Sequence, residues 1–146
     1  MLRTLLAGVA AAAALAGCGS GGEELPAACT DGADAVRAAL HDAPGKVRLD
    51  GTPLSSCLSS APEGEQVQVV GTAFVESAVA LAAEARREPE GRSALELGYL
   101  VAAANRGGSN QGVHSELLRR LDQELITVDT QSRAFRRGQR AAATGG

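Results

Sequence analysis

Aromatic residues are almost missing from this sequence of 146 residues. It contains no tryptophan, one tyrosine and two phenylalanines. Sites for sugars and nucleic-acid bases usually stack the ligand on aromatic side chains, so this composition argues against both kinds of site. The formal net charge of −3 gives no overall attraction to nucleic acid either. We therefore expect no nucleic-acid partner.

Residues that form metal and catalytic sites are also scarce. His41 and His114 are the only histidines, and neither belongs to an HExxH or similar ligand pattern. The sequence has no GxSxG motif, which marks a nucleophilic serine in many hydrolases. We expect no metal, no cofactor and no catalytic residues. A triad or metal site assembled from distant residues stays open as an alternative.

The apolar run near the start of the sequence is too short for a permanent membrane span. This uncharged run from Leu5 to Gly17 follows Arg3 and is dominated by alanine and leucine. A span needs about 20 apolar residues. A positive start, a short apolar stretch and small residues at its end are instead typical of a secretory signal.

The end of this stretch is Leu15-Ala16-Gly17-Cys18. It resembles the lipobox of bacterial prolipoproteins at all four positions, and the resemblance covers only about the first eighteen residues. It implies cleavage before Cys18 and attachment of diacylglycerol to its thiol. Two acyl chains anchor a protein stably, whereas one binds marginally. An ordinary secretory signal is the alternative.

The resemblance also bears on the three cysteines. If Cys18 carries lipid, Cys29 and Cys57 are left as a disulfide pair, which persists outside the cytoplasm. A reactive or metal-binding pair is the alternative, although the spacing is not CxxC.

Apolar residues repeat at three and four positions through most of the remaining chain, which predicts helices. One such stripe consists of Val67, Val70, Phe74, Ala78, Leu81 and Ala85, and another of Val113, Leu117, Leu121 and Leu125. Beside the second stripe, Glu116 is expected to pair with Arg119 and Arg120 on the helix surface. Capping boxes at Ser60–Glu63 and Ser93–Glu96 are expected to begin two of them. Gly71 and Gly98 fall within helices and are interpreted as sites of close helix packing. The helices are expected at about 27–43 (or from 30), 60–87, 93–105, 112–127 and 130–140, with a very short strand at 47–49 and a short helix carrying Cys57.

Short connectors between these helices favour antiparallel neighbours. The predicted fold is all-α: a small four-helix bundle with an additional C-terminal helix, stapled by one disulfide. The expected organisation is a signal peptide at 1–17, a lipidated cysteine and tether at 18–26, a helical domain at 27–140, and a disordered tail at 141–146.

Two polar segments are candidates for binding. In the glycine-rich loop from Arg106 to His114, backbone amides at a helix start, with Arg106, Ser109, Asn110 and His114, could hold an anion or a partner. A plain connector is the preferred interpretation. The second segment carries Arg133, Arg136, Arg137 and Arg140. These arginines could contact phosphate head groups or an acidic partner. The preferred interpretation is a helix face that contacts only solvent.

The sequence therefore predicts an exported lipoprotein, held by Cys18 on the outer face of the cell membrane or on a periplasm-facing leaflet in a diderm host. Its domain is expected to be a non-enzymatic binding or assembly module with a protein partner in the envelope. An anion- or small-ligand-binding protein using the loop 106–114 and an unrecognised envelope hydrolase are the alternatives.

Overall fold

The computed structural model describes residues 24–61 and 64–145, and it confirms the all-α class. The lipobox, Cys18 and the tether up to residue 23 lie outside the described residues. The elements are a 3₁₀ turn at Ala27–Thr30, strands β1 (Arg48–Leu49) and β2 (Thr52–Pro53), and helices α1 (Ala33–Leu40), α2 (Leu54–Ser59), α3 (Glu65–Ala85), α4 (Arg92–Gly107), α5 (Gly112–Leu125) and α6 (Arg133–Gly145).

The first predicted helix is divided into the 3₁₀ turn and α1. Gly32 has a φ of 86°, a conformation that glycine adopts readily and that ends the turn. Cys29 in the turn forms a disulfide with Cys57 in α2, with their Cα atoms 5.4 Å apart. The predicted disulfide is confirmed, and it joins the start of the domain to α2.

A tight antiparallel hairpin connects α1 to α2. Leu49 pairs with Thr52, and the turn between them has positive φ angles at Asp50 (44°) and Gly51 (83°). This Asp-Gly turn is the type that joins two-residue hairpins. The predicted short strand and the helix carrying Cys57 are confirmed.

Helix α3 is the core helix. All six positions of its predicted apolar stripe are buried: Val67, Val70, Phe74, Ala78, Leu81 and Ala85. The helix begins at Glu65 after Gly64 (φ 100°), not at the predicted position near Ser60. Its 21 residues and a mean hydropathy of 1.3 would suffice to cross a membrane, but half of that window is buried inside the domain. It packs against α1, α4 and α5.

Helices α4 and α6 form the most closely packed pair. A Cβ added at Gly98 would lie 2.1 Å from the Phe135 carbonyl oxygen, and one at Gly138 would lie 1.9 Å from the Leu95 carbonyl oxygen. Close packing at Gly98 confirms its predicted role. The predicted disordered tail is wrong for residues 141–145, because α6 continues to Gly145 and buries Ala142.

Helix α6 runs parallel to α4 and is held at both ends by charged side chains. At its start, the Glu90 carboxylate accepts hydrogen bonds from the backbone N–H groups of Arg133 (3.1 Å) and Ala134 (3.2 Å). At its end, Arg106 donates to the carbonyl oxygens of Ala142 (3.0 Å) and Ala143 (2.9 Å). A carboxylate at the first amides and a cation at the last carbonyls both stabilise a helix.

The long helices pack in the order α6, α4, α3, α5. Helix α4 is the only element with which α6 packs extensively among the described residues, and α5 packs mainly on α3. The helices α1 and α2 cover α3 and α4, respectively. Helices α5 and α6 are therefore the two outer members of this packing order.

Candidate functional site

An open groove of about 660 Å³ lies between α3 and α5. Gly71 is one of the lining residues of the groove. A Cβ built at Gly71 would lie 3.4 Å from Cδ1 of Leu117 and would not clash with backbone atoms. Concave sites of this size and mostly apolar character are where ligands and partners usually bind. The groove is lined by Val67, Gln68, Gly71, Thr72, Val75 and Glu76 of α3 and by Gly112, Val113, Glu116, Leu117 and Arg120 of α5.

The rim of the groove carries fixed charges. Arg119 donates to both carboxylate oxygens of Glu116 (2.7 and 2.8 Å), and Arg120 donates to one of them (2.9 Å). The hydrogen bonds from Arg119, and next those from Arg120, lower the pKa of Glu116 to about 2. Glu116 is therefore ionised at neutral pH, and the predicted surface pairing of these three residues is confirmed.

Sequence reasoning missed the groove because it assigned Val113 to the core. Leu117 and Leu121 of the same stripe are buried, but Val113 is 41% exposed and Ile126, just beyond α5, is 80% exposed. The apolar stripe of α5 is longer than the part of α5 that α3 covers. Apolar residues of α5 that continue past its contact with α3 were the signal for an open groove.

The predicted loop site is only partly assembled. Nδ1 of His114 accepts a hydrogen bond from the Ser109 backbone N–H (3.0 Å). The Ser109 hydroxyl donates a long hydrogen bond to the Gln111 carbonyl oxygen (3.5 Å). Asn110 is exposed. The hydrogen bonds of Arg106 go to α6, so the structure brings Ser109 and His114 together but commits Arg106 elsewhere. Anion binding by this loop stays a prediction.

A second polar cluster surrounds Glu96, which sequence reasoning had assigned to a capping box. Its side chain is 3% exposed, and Oε1 accepts from His41 Nδ1 (3.0 Å) and from Arg92 Nε (2.8 Å). Arg92 also donates to the His41 carbonyl oxygen. These contacts tie the end of α1 to α4.

The Glu96 cluster lies beside a more polar depression of about 480 Å³, lined by Glu84, Arg87, Glu88, Arg92 and Ser93. Ser93 donates its hydroxyl hydrogen to Glu84. Glu84, Arg92 and Ser93 of this depression already have side-chain partners, and its lining is short and largely polar. We therefore take the larger, mostly apolar groove between α3 and α5 as the candidate site.

In residues 24–61 and 64–145, no group of three or more histidine, cysteine, aspartate or glutamate side chains is placed to hold a metal ion. Comparison of the chain with family models, curated proteins and solved structures finds no match.

Proposed function

We propose that this chain is an exported lipoprotein, cleaved before Cys18 and anchored by diacylglycerol on that cysteine, whose helical domain is a non-enzymatic module that binds a helix of an envelope protein. The lipobox Leu15-Ala16-Gly17-Cys18 supports the anchor. The disulfide between Cys29 and Cys57 supports export, because such bonds persist outside the cytoplasm.

The open groove is the observation that carries the binding role. Because α5 packs mainly on α3, one long side of this helix pair is left uncovered. The lining residues of α3 run from Val67 to Glu76, which is about 14 Å of helix. An amphipathic helix is a partner that fits a straight groove between two helices, with its apolar face on the floor.

The charges on the rim set the chemistry of that partner. Glu76 and the Glu116, Arg119 and Arg120 group flank valines of the groove. A partner helix that bears both acidic and basic residues beside its apolar face would match them. Such rim charges contribute more to partner selection than to affinity.

The proposal also includes the arrangement of the helices. We assign α1, α3, α4 and α5 to the four-helix bundle expected from the sequence, and α6 to the additional helix. In that arrangement the groove is a surface of the bundle that a further helix would extend.

Site-specific photo-crosslinking in native membranes tests the binding role. A photoreactive amino acid at Thr72, which is exposed inside the groove, should yield one envelope protein, whereas the same group at the exposed Val69 outside it should not. Val113→Glu should abolish the product, and Val69→Glu, at a residue of the same 41% exposure, should leave it unchanged. A product that survives Val113→Glu would refute binding in the groove.

The anchor has its own test. Mass spectrometry of the protein extracted from membranes should give a first residue that is Cys18 carrying diacylglycerol. The Cys18→Ala variant should appear in the soluble fraction or stay as uncleaved precursor. A mature chain with an unmodified Cys18 thiol would contradict the anchor.

A further inference from the structure

Helix α6 presents four arginines on its outer face. Arg133, Arg136, Arg137 and Arg140 are spaced at three, one and three residues, so they lie on one side of the helix, and all four are exposed. The opposite side packs on α4 and buries Phe135, Gly138 and Ala142. We name the four arginines the arginine stripe.

The stripe has almost no acidic neighbours. Helix α6 contains no aspartate or glutamate, although the whole chain has a net charge of −3. Within the described residues, Arg136, Arg137 and Arg140 make no side-chain hydrogen bond or ion pair, whereas Arg133 forms a long ion pair with Glu90 (3.8 Å) and Arg136 lies close enough to interact with the charge of the same carboxylate. On α5, by contrast, both Arg119 and Arg120 are paired with Glu116. One carboxylate faces four arginines, so the stripe is a local excess of positive charge that the domain neutralises only in part.

The helix that carries the stripe is fixed in the domain. The clamps of Glu90 and Arg106 hold both ends of α6, and the contacts at Gly98 and Gly138 hold its middle. The backbone positions of the four arginines therefore form a fixed row of about 10 Å along the helix. The exposed arginine side chains still lose rotamer freedom when they bind anions, but the backbone that presents them does not have to be ordered.

We propose that the arginine stripe binds the phosphate groups of anionic phospholipids in the membrane that carries the protein. Guanidinium groups bind phosphate oxygens through two parallel hydrogen bonds, and an anionic surface attracts each nearby arginine. A protein partner would need an apolar centre at the interface. The large exposed apolar residues of the described chain are Val69, Val79, Val113 and Ile126, and none lies on α6.

This binding would orient the domain. The groove is lined by residues of α3 and α5 and by none of α6, so docking α6 on the membrane leaves the groove uncovered. The orientation rests on the proposed function, because it matters only if the groove receives a partner. The lipid contact itself does not depend on that partner.

Fluorescence quenching with the protein extracted from its native membranes tests the proposal. The protein is placed in vesicles of phosphatidylcholine, with or without phosphatidylglycerol, that contain a lipid with a nitroxide on its head group. A fluorophore is attached to Ala143→Cys, which is exposed one turn beyond Arg140, or to Gln123→Cys on α5 as the distant control. Phosphatidylglycerol should increase quenching at the first position only, and high salt should reverse the increase.

Two double variants provide the matched comparison, since each removes two positive charges. Arg136→Gln/Arg140→Gln should weaken the phosphatidylglycerol-dependent contact about fivefold per arginine. Arg119→Gln/Arg120→Gln should leave it unchanged. Quenching at Ala143→Cys that is independent of phosphatidylglycerol, as expected for a stripe that binds an acidic protein, would overturn the proposal, and so would equal effects of the two variants.

The same vesicles separate this inference from the lipid anchor. Protein that leaves phosphatidylcholine vesicles but stays on those with phosphatidylglycerol would support the stripe and refute the anchor. Protein that stays on both without quenching that depends on phosphatidylglycerol would refute the stripe and leave the anchor intact.

Discussion

Glu96 is the buried carboxylate of the described residues. A buried charge is costly unless donors compensate it, and here His41 and Arg92 both donate to the same oxygen. Among the described residues, no buried side-chain nitrogen or oxygen lacks a hydrogen-bond partner. The sequence pattern Ser93–Glu96 suggested a capping box, but α4 begins at Arg92, and both side chains are used in contacts outside their own helix start.

Removal of the Arg92 guanidinium should therefore destabilise the fold. Arg92→Met leaves the Glu96 carboxylate buried with His41 as its remaining partner, and we expect a loss of about 1–3 kcal/mol in the free energy of unfolding. Urea denaturation measures this loss. In Arg92→Met/Glu96→Gln the neutral amide no longer needs a cation, so the double variant should lose less than the sum of the two single ones. If the losses in the free energy of unfolding of the two single variants add up to that of the double variant, Arg92 and Glu96 do not stabilise the fold through each other.

Glu116 should make stability depend on pH in the acidic range. Its pKa is lowered to about 2 in the folded protein, from an ordinary value of 4.5, by hydrogen bonds from Arg119 and Arg120. The unfolded chain binds a proton at higher pH than the folded one, so this contribution is complete above about pH 4.5 and is lost as pH falls toward 2. Denaturation of Glu116→Gln across this range should show a smaller dependence on pH.

The Glu116 titration can be followed directly by NMR of its carboxyl carbon. We expect Arg119→Gln to raise its pKa more than Arg120→Gln does, because the contact with Arg119 is the larger cause of the shift. A pKa that is unchanged in both variants would contradict the ion pairs seen at the rim of the groove.

At the scale of elements, glycines decide how closely helices approach. Gly107 ends α4, and a Cβ there would lie 1.9 Å from the Ser55 carbonyl oxygen of α2. The helix predicted at 93–105 ends two residues later than expected, at Gly107, and Gly108 after it has φ −80° rather than the left-handed conformation typical of glycine caps. Contact with α2, not helix termination alone, requires a glycine at 107.

The pair α4 and α6 should not tolerate a side chain at its crossing. Gly98→Ala and Gly138→Ala each place a methyl group against backbone atoms of the other helix, and we expect each to cost about 1–3 kcal/mol because the helices must separate.

Gly71→Ala is the control for this prediction. It brings the new methyl group only to within 3.4 Å of a leucine side chain, and it should be neutral or stabilise the protein by up to about 1 kcal/mol through helix propensity. Thermal unfolding of the three variants compares them. Equal effects at all three positions would contradict the packing at the crossing.

At the scale of the whole molecule, the disulfide closes the first part of the chain onto α2. Its two cysteines are 28 residues apart, and restriction of the unfolded chain by a loop of this length corresponds to about 3.5 kcal/mol of stability. Cys29→Ser/Cys57→Ser should therefore unfold at a clearly lower urea concentration. The original chain should show the same loss after reduction, while reduction should not affect the variant. Unfolding that is insensitive to reduction would contradict a structural role.

The sequence by itself determined the elements whose signals are local. Apolar spacing located the stripe of α3, the alternation at 47–49 located the first short strand, and Gly98 marked a close helix contact. These features depend on backbone conformation and periodicity within a few residues. The second strand, Thr52–Pro53, was not expected, because that pair was interpreted as the start of a helix.

The tertiary structure alone decided the features that join distant residues. Glu90, which precedes α4, accepts hydrogen bonds from the first backbone amides of α6, and Arg106 donates to the last carbonyl oxygens of that helix. Glu96 is buried where α4 meets His41 at the end of α1. The groove exists because α5 covers only part of α3, so Val113 is exposed although its periodicity matches that of the buried Leu117. Periodicity shows which face of a helix is apolar, but the neighbouring helices decide how much of that face is covered.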